Sequence, residues 1–412
     1  MDFSKMKSFL PAVPQLPKNI NLPKNLQIPN MPHINFQIPQ MAGLRTPPPP
    51  EYLDEKGALK ASDPPLEINQ AGPSSSSTDP TLLEPRPIDE SRPKTNLDLI
   101  NECDNFPYLH RNPELYLSRV AHYYHLQVSA HPGLCLGYVL PSVASVFDNL
   151  PSWSLDSSER TLTLIQGDDE PSRTAAVAST TAAMRALGHF AVLRGWRDEV
   201  YPVYGPNGAV LFSIERAAAP LLGIVQYGAH MTAYVREAGD GGREQIKIWT
   251  PRRSATKQTY PGMLDNTVAG GLPAGESPLN GMLREAEEEA SLPESVVRER
   301  IKSVGVISYF HVRDARAGGE TGLLEPENEY VFDLDLTGAG LEPKPSDGEA
   351  EDFRLLSIEE VREEMRKGQF KPNCALVLLD FFVRHGLLTA EEEPDYVEIV
   401  SRLHRVTEFP TR

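Results

Sequence analysis

The sequence predicts an α/β protein. A mixed sheet lies between helical layers, preceded by a small α/β domain and a long proline-rich tail. Three observations carry this prediction. From about residue 226 onward, short strand-type runs are interleaved with two or three strong helical patterns. Residues 95–225 have globular composition with both periodicities. Residues 1–94 hold 18 of the chain's 38 prolines, including Pro47 to Pro50, together with the serine tract Ser74–Ser77.

A segment such as 1–94 cannot bury enough apolar surface to offset its ordering entropy, so it is expected to be disordered. Its spaced prolines among Ile, Leu and Phe suit an extended docking motif for a protein partner, with a plain linker as the alternative. In 95–225, NLDLINECDNF (96–106) has an amphipathic helical rhythm. LCLGYVLPSVASVF (134–147) predicts a strand, a turn and a helix start. Residues 174–193 are Ala-rich and predict a helix, and VLFSI (210–214) predicts a strand. Nothing in this region forms a catalytic constellation. In 226–405, MTAYV (231–235) and QIKIW (245–249) flank Gly239, Gly241 and Gly242, which predicts a hairpin. Helices are predicted at 279–290, 358–367 and near 374–385, and strands at 304–310 and 330–336.

The chemistry is concentrated in GGLPAGESPLNGMLREAEEEASL, residues 270–292. This stretch follows the pattern G-x5-E-x7-R-E-U-x-E-E-x-G-U, where U is apolar. Gly270, Glu276, Arg284, Glu285, Glu288 and Glu289 match, Ala286 and Leu292 fill apolar positions, and Ser291 replaces the last glycine. Six fixed matches arise by chance on the order of once in ten million start positions. Glu285, Glu288 and Glu289 stand at i, i+3 and i+4, so their carboxylates share one helix face. Like charges that close call for a cation, and clustered hard oxygen ligands suit Mg²⁺ or Mn²⁺. The Gly270–Gly275 loop allows close approach of the backbone, and the Gly270 carbonyl is expected to join the glutamates on the metal. Arg284 is placed to orient a carboxylate. Glu276 sits just before the helix, where its charge suits the N-terminal dipole. An isolated run of glutamates would read as a solvated face; embedded in this loop and helix it reads as a metal site.

The pattern is the Nudix box, and the chain resembles the Nudix branch found beside fungal thiamine pyrophosphokinase and in stand-alone plant and fungal proteins. The resemblance also rests on IWTPRRSATKQTYPGMLDNTVAGG (248–271), RGWRDEVYPV (194–203), QYGAHMTAYV (226–235) and FKPNCALVLLDFFVRHG (370–386). It spans roughly 95–405 and implies a Nudix α/β/α sandwich with the branch's own N-terminal domain. It also implies hydrolysis of thiamine diphosphate, and especially of its oxidised, damaged analogues, to monophosphates. The family association with oxidised nucleoside diphosphates such as 8-oxo-dGDP gives a second substrate class. Fused relatives carry a kinase domain; beside these parts the chain has no room for one, so no kinase activity is expected. The segment before the box is similar to isopentenyl-diphosphate isomerase, but that chemistry needs a cysteine there, and residues 265–269 are Asp-Asn-Thr-Val-Ala.

Arg252, Arg253 and Lys257 could give charge-assisted hydrogen bonds to a diphosphate, or could be surface charges on a strand and turn. Trp249, Tyr260 or Trp196 could stack on a heteroaromatic ring, with core packing as the alternative. The expected mechanism is metal-assisted attack of water on phosphorus, with one carboxylate as general base. Glu285, Glu289, Glu349 and Glu351 are the candidates, the last two lying in the later acidic loop DGEAEDF. A regulatory protein that binds such a metabolite without turnover is the reading from another class.

Composition narrows the partners. The formal net charge is -17, which disfavours binding to a nucleic-acid polymer. No apolar run approaches the roughly 20 residues of a membrane span. The three cysteines form no CxxC pair and read as buried thiols in a reducing compartment. No compact apolar signal is present at the N-terminus. A cytoplasmic protein is expected, with mitochondrial targeting as the alternative, because residues 1–45 are poor in acid but contain Arg45 as their only Arg.

Overall fold

The computed structural model describes residues 92–239 and 244–412. The proline-rich segment up to residue 91, and Gly241 and Gly242 of the expected hairpin turn, lie outside the described residues.

Helix α1 (Asn96–Cys103) starts at a reciprocal cap: the Thr95 side chain accepts from Asp98 N, and the Asp98 carboxylate accepts from Thr95 N. Helix α2 (Pro113–Val120) is capped by Asn112. Strands β1 (Tyr124–Val128) and β2 (Gly137–Val139), the short helix α3 (Pro141–Ala144), and strands β3 (Trp153–Asp156) and β4 (Thr161–Leu164) follow. They build a four-stranded sheet of order β2-β1-β4-β3. Helix α4 (Glu170–Leu187) buries Val177 and Met184 against Leu126, Leu162 and Trp153 of that sheet. It starts and ends earlier than its alanine content predicted. Asp169 caps it with Pro171 in the first turn, and Gly188, at φ 66°, stops it. Strands β5 (Val200–Tyr204) and β6 (Val210–Glu215) form an antiparallel pair, and α5 (Ala219–Leu222) leads into the second half.

The second half is built on β7 (Gln226–Ala238), β8 (Glu244–Arg253), β9 (Val268–Gly271), β10 (Ile301–Val312), β11 (Leu324–Asp335) and β12 (Ala350–Ser357). The strand order is β10-β11-β7-β8-β12, with β9 on the first residues of β7. β7 and β11 run parallel and the other pairs antiparallel, giving the mixed sheet the sequence predicts. Helices α6 (Pro278–Ala290) and α7 (Glu294–Arg300) cover one face, where Met282, Ala286 and Val297 meet Ala229, Met231 and Ala233. Helices α8 (Ile358–Arg366) and α9 (Pro372–Arg384) cover the other, where Val361 and Leu376 meet Tyr234, Ile307 and Val331. Helix α10 (Tyr396–Arg402) follows. Residues on β7 alternate between the two faces, and both alternating sets are apolar or buried.

Helix α1 packs away from the strands that follow it. Leu99 and Ile100 join the cluster built on α8 and α9, and the N–H groups of Asn105 and Phe106 donate to the Phe310 carbonyl. Among the described residues no helix is long and apolar enough to cross a membrane.

Ser291 ends α6 in the left-handed region, at φ 54°. A serine there carries a Cβ–carbonyl clash that glycine lacks. Ser291→Gly is expected to stabilise the chain by about 0.5–1 kcal/mol, the relief being partly offset by the entropy of the unfolded glycine. A urea titration checks this, and a lower midpoint would refute it.

Candidate active site

Helix α6 begins at Ser277, whose hydroxyl accepts from Asn280 N at 3.3 Å. Its buried residues Met282, Leu283, Ala286 and Ala290 fix its rotation on the sheet. That rotation turns Glu285 and Glu289 toward β9 and leaves Glu288 outside: the Glu288 side chain is 54% exposed and the Glu285 side chain 14%. Arg284 ties the group together. It donates to both carboxylate oxygens of Glu276, at 3.1 and 3.0 Å, and through Nη1 to Glu285 and Glu288, each at 2.9 Å. Glu276 is therefore the partner of Arg284, more than a charge on the helix dipole. Gly275 supports the turn before it at φ 87°.

The register of β9 corrects one expectation. Leu272 N donates to the Tyr227 carbonyl at 2.9 Å, which makes that pair, and by alternation Ala229 with Gly270, the hydrogen-bonded positions of the ladder. The Gly270 carbonyl thus turns inward to β7, away from the edge where a metal would sit. Ala269 points outward: its N–H donates to Glu289 Oε2 at 3.2 Å, and its carbonyl faces the same open edge. Gly270 serves by being small. A Cβ there would lie 2.3 Å from Glu285 Oε1.

Both inner glutamates hold protons more tightly than usual. Burial raises the Glu285 pKa against the pull of Arg284. Burial raises that of Glu289 well above the ordinary value, helped by the charges of Glu285 and Asp265. Arg284 pairs with Glu285 but does not reach Glu289, and two carboxylates crowded in this way suit a cation.

The remaining expected residues divide. Glu349 reaches the site: it contacts Glu289, and Lys257 pairs with it. Burial works against its charge, but Lys257 holds its pKa below the usual value. Glu351 turns to the Ala255 N–H instead, at 3.1 Å. Arg253 is spent inside the fold, on Asp265 at 2.5 Å and on the carbonyls of Tyr260 and Thr259. Arg252 donates to the Gly262 carbonyl at 2.6 Å. Of the two readings of Arg252, Arg253 and Lys257, diphosphate ligands or charges of a strand and turn, their partners favour the second: they stitch the loop after β8 and hold Glu349. Trp249 is buried in the core, and Trp196 lies under Arg185, 4.7 Å from its guanidinium carbon.

A cavity of about 230 Å³ opens on the far side of β9, lined by Ala269, Gly270 and Gly271 and by residues of both halves of the chain, Tyr260 among them. Its acidic wall was not anticipated. Glu325, Glu327 and Glu329 alternate along β11 and so share one face. Tyr309 Oη donates to Glu327 and, at 3.0 Å, to Glu329. Burial and the Glu329 charge push Glu327 up to about 8, while His230, against the effect of burial, holds Glu329 below the usual carboxylate range. Glu329 Oε2 is buried with no partner among the described residues, and a Cβ at Gly228 would lie 2.1 Å from it and 3.2 Å from the Gly270 carbonyl oxygen. His311 Nδ1 donates to the Cys103 carbonyl at 3.2 Å; burial keeps the ring neutral, which leaves Nε2, without a partner among the described residues, as a lone-pair acceptor. The signal in the sequence was the acid at every second position of a strand, a pattern that ordinarily marks a solvated face.

Two family models match the chain: a domain of unknown function (DUF4743) over residues 130–226 and the NUDIX domain over residues 229–375. An uncharacterized protein of Saccharomyces cerevisiae is 36% identical over 325 residues, which cover 76% of this chain and 92% of that protein. The chain belongs to the Nudix hydrolase family. Two chloroplastic proteins of Arabidopsis thaliana, Nudix hydrolase 20 and Nudix hydrolase 24, are 39% and 38% identical over 56% and 57% of this chain. Those matches cover 58% and 60% of the plant proteins, less than two thirds of their length. A solved structure from Deinococcus radiodurans is similar over 50% of this chain and 100% of its own, at 17% identity and a TM-score of 0.31. The Nudix match contains both the α6 glutamates and the acidic wall of β11, so this chain is an enzyme of the Nudix hydrolase type with its Nudix fold on β7 to α9.

Proposed function

We propose that the chain is a metal-dependent diphosphatase that cleaves a small-molecule diphosphate to a monophosphate and phosphate. The observation that carries this reading is the convergence of Glu285 and Glu289 on the open edge of β9, beside the Ala269 carbonyl. This donor set is all oxygen and crowded with negative charge, which fits a hard divalent ion such as Mg²⁺ or Mn²⁺. Glu285, Glu288, Glu289 and the Ala269 carbonyl would hold it. When bound, the metal supplies charge neutralisation at the phosphates and a lowered pKa for water. Glu349, kept ionised by Lys257 and in contact with Glu289, is the residue best poised to accept the proton of that water. Arg284 keeps Glu285 and Glu288 in position through its paired donors.

For the group that carries the diphosphate, we favour thiamine diphosphate and its oxidised analogues, with 8-oxo-dGDP as the second choice. Support comes from the stretches that resemble the thiamine-associated branch. Residues of 194–203, 226–235 and 370–386 line the cavity, among them Tyr201, Gln226 and Asn373. A phosphate-release screen with Mg²⁺ over thiamine diphosphate, its oxidised analogues, 8-oxo-dGDP, ADP-ribose and NADH tests the reading. The oxidised thiamine analogues are expected to turn over fastest, and chelation by EDTA is expected to remove at least about 99% of the activity. Release that resists EDTA sinks the metal mechanism. Tight metal-dependent binding without release favours a sensor.

A further inference from the structure

Gly271 has no room for a side chain. A Cβ there would lie 2.1 Å from Tyr201 Oη and 2.9 Å from Arg216 Nη1. The box loop is thus in contact with the N-terminal half, and Ala274 N fastens it there by donating to the Val200 carbonyl at 2.8 Å. Arg216 follows β6 and is held by Glu199 twice. Its backbone N–H donates to the Glu199 carbonyl at 2.8 Å, and its Nη1 to Glu199 Oε2 at 3.2 Å. That is the one side-chain hydrogen bond of Arg216 among the described residues, so most of its N–H groups are uncommitted. The guanidinium lies in the field of Glu285 and lines the cavity. Lys371, just before α9, lines the same cavity, and its ammonium makes no hydrogen bond or ion pair among the described residues.

We propose that Arg216 and Lys371 form the seat for the substrate's diphosphate, so that the N-terminal half supplies part of the binding site. The proposal rests on the hydrolase reading. A diphosphate in a cavity walled by Glu325, Glu327 and Glu329 needs cations aimed at it, and Arg252, Arg253 and Lys257 are committed elsewhere. A guanidinium offers paired donors that match phosphate oxygens, and an ammonium adds a compact charge. Arg216 stands beside Gly271, and Lys371 lines the same cavity as this strand, whose other side faces the α6 glutamates. A phosphate bridging that strand's edge would touch the metal face and the cationic seat together.

Calorimetric titration of the full chain with methylenediphosphonate in Mg²⁺ tests this without turnover. The wild type is expected to bind. Arg216→Gln and Lys371→Gln are each expected to weaken binding by about tenfold or more at near-unchanged melting temperature, and Arg216→Lys to recover part of the loss. Arg298→Gln, on exposed α7, is expected to change nothing. Should Arg216→Gln not fold, Lys371→Gln carries the test. Unchanged affinity in the folded variants, or no binding by the wild type, overturns the seat. Weakened binding in the variants, with no phosphate release by the wild type from any compound of the screen, keeps the seat and removes the hydrolase reading. Release with unchanged affinities does the reverse.

Discussion

Replacing Glu289 by Gln is expected to lower turnover by about a hundredfold or more while leaving the fold intact. Glutamine keeps the shape and can still accept from Ala269 N, so only the charge is removed. In the wild type that charge is buried beside Glu285 and held at a raised pKa. A carboxyl whose pKa is raised in the folded state costs stability as pH climbs from its unfolded value, about 4.3, through the raised one. The metal-free wild type should therefore lose stability over that range, and the variant should lose less. Added Mg²⁺ should raise the melting temperature of the wild type and hardly move that of the variant. Glu285→Gln is expected to behave alike. Near wild-type turnover in both variants would falsify the metal site on α6.

The second large effect is on stability. Asp104, at the end of α1, is fully buried with Arg405. One carboxylate oxygen accepts from Arg405 Nη1 at 2.9 Å and Phe310 N at 3.1 Å, the other from Tyr108 Oη at 2.5 Å and Arg402 Nε at 3.2 Å. Removing the acid leaves a buried guanidinium uncompensated, which costs about 3–5 kcal/mol. Asp104→Ala is expected to lose about that much in urea unfolding. A loss under about 1 kcal/mol would show that Arg405 finds other partners, such as the carbonyls of Phe106 and Pro107 it already contacts.

The metal face was legible because helix geometry is local. Spacings of three and four residues put Glu285, Glu288 and Glu289 on one side, and Met282 and Ala286 show which side is buried. Helices α1, α6 and α8 and the β7–β8 hairpin were legible for the same reason. What failed needed long-range information. Arg253 reads as a free cation until the chain folds back and delivers Asp265 and the carbonyls of residues 259 and 260. The Gly270 carbonyl reads as a ligand until the register of β9 against β7 is known. Nothing local in the sequence announces that Tyr309, His230 and Asn373 close over Glu327 and Glu329. Strands β3 and β4, four residues each, are too short for a periodicity to emerge.

The placement of α1 has a consequence for the order of assembly. Its surface is offered by α9 and β10, and its terminal acid is met by Arg402 and Arg405. At the sheet's centre, β7 must wait for β11 to pair in parallel, residue 226 with residue 327. During synthesis the α1 segment therefore stays unsheltered until residues 402 and 405 have been made. Loop closure over such separations comes late and slowly. Through that interval Leu99, Ile100 and Cys103 remain exposed to solvent, to neighbouring chains and to chaperones, and the segment that carries Arg402 and Arg405 acts as their latch.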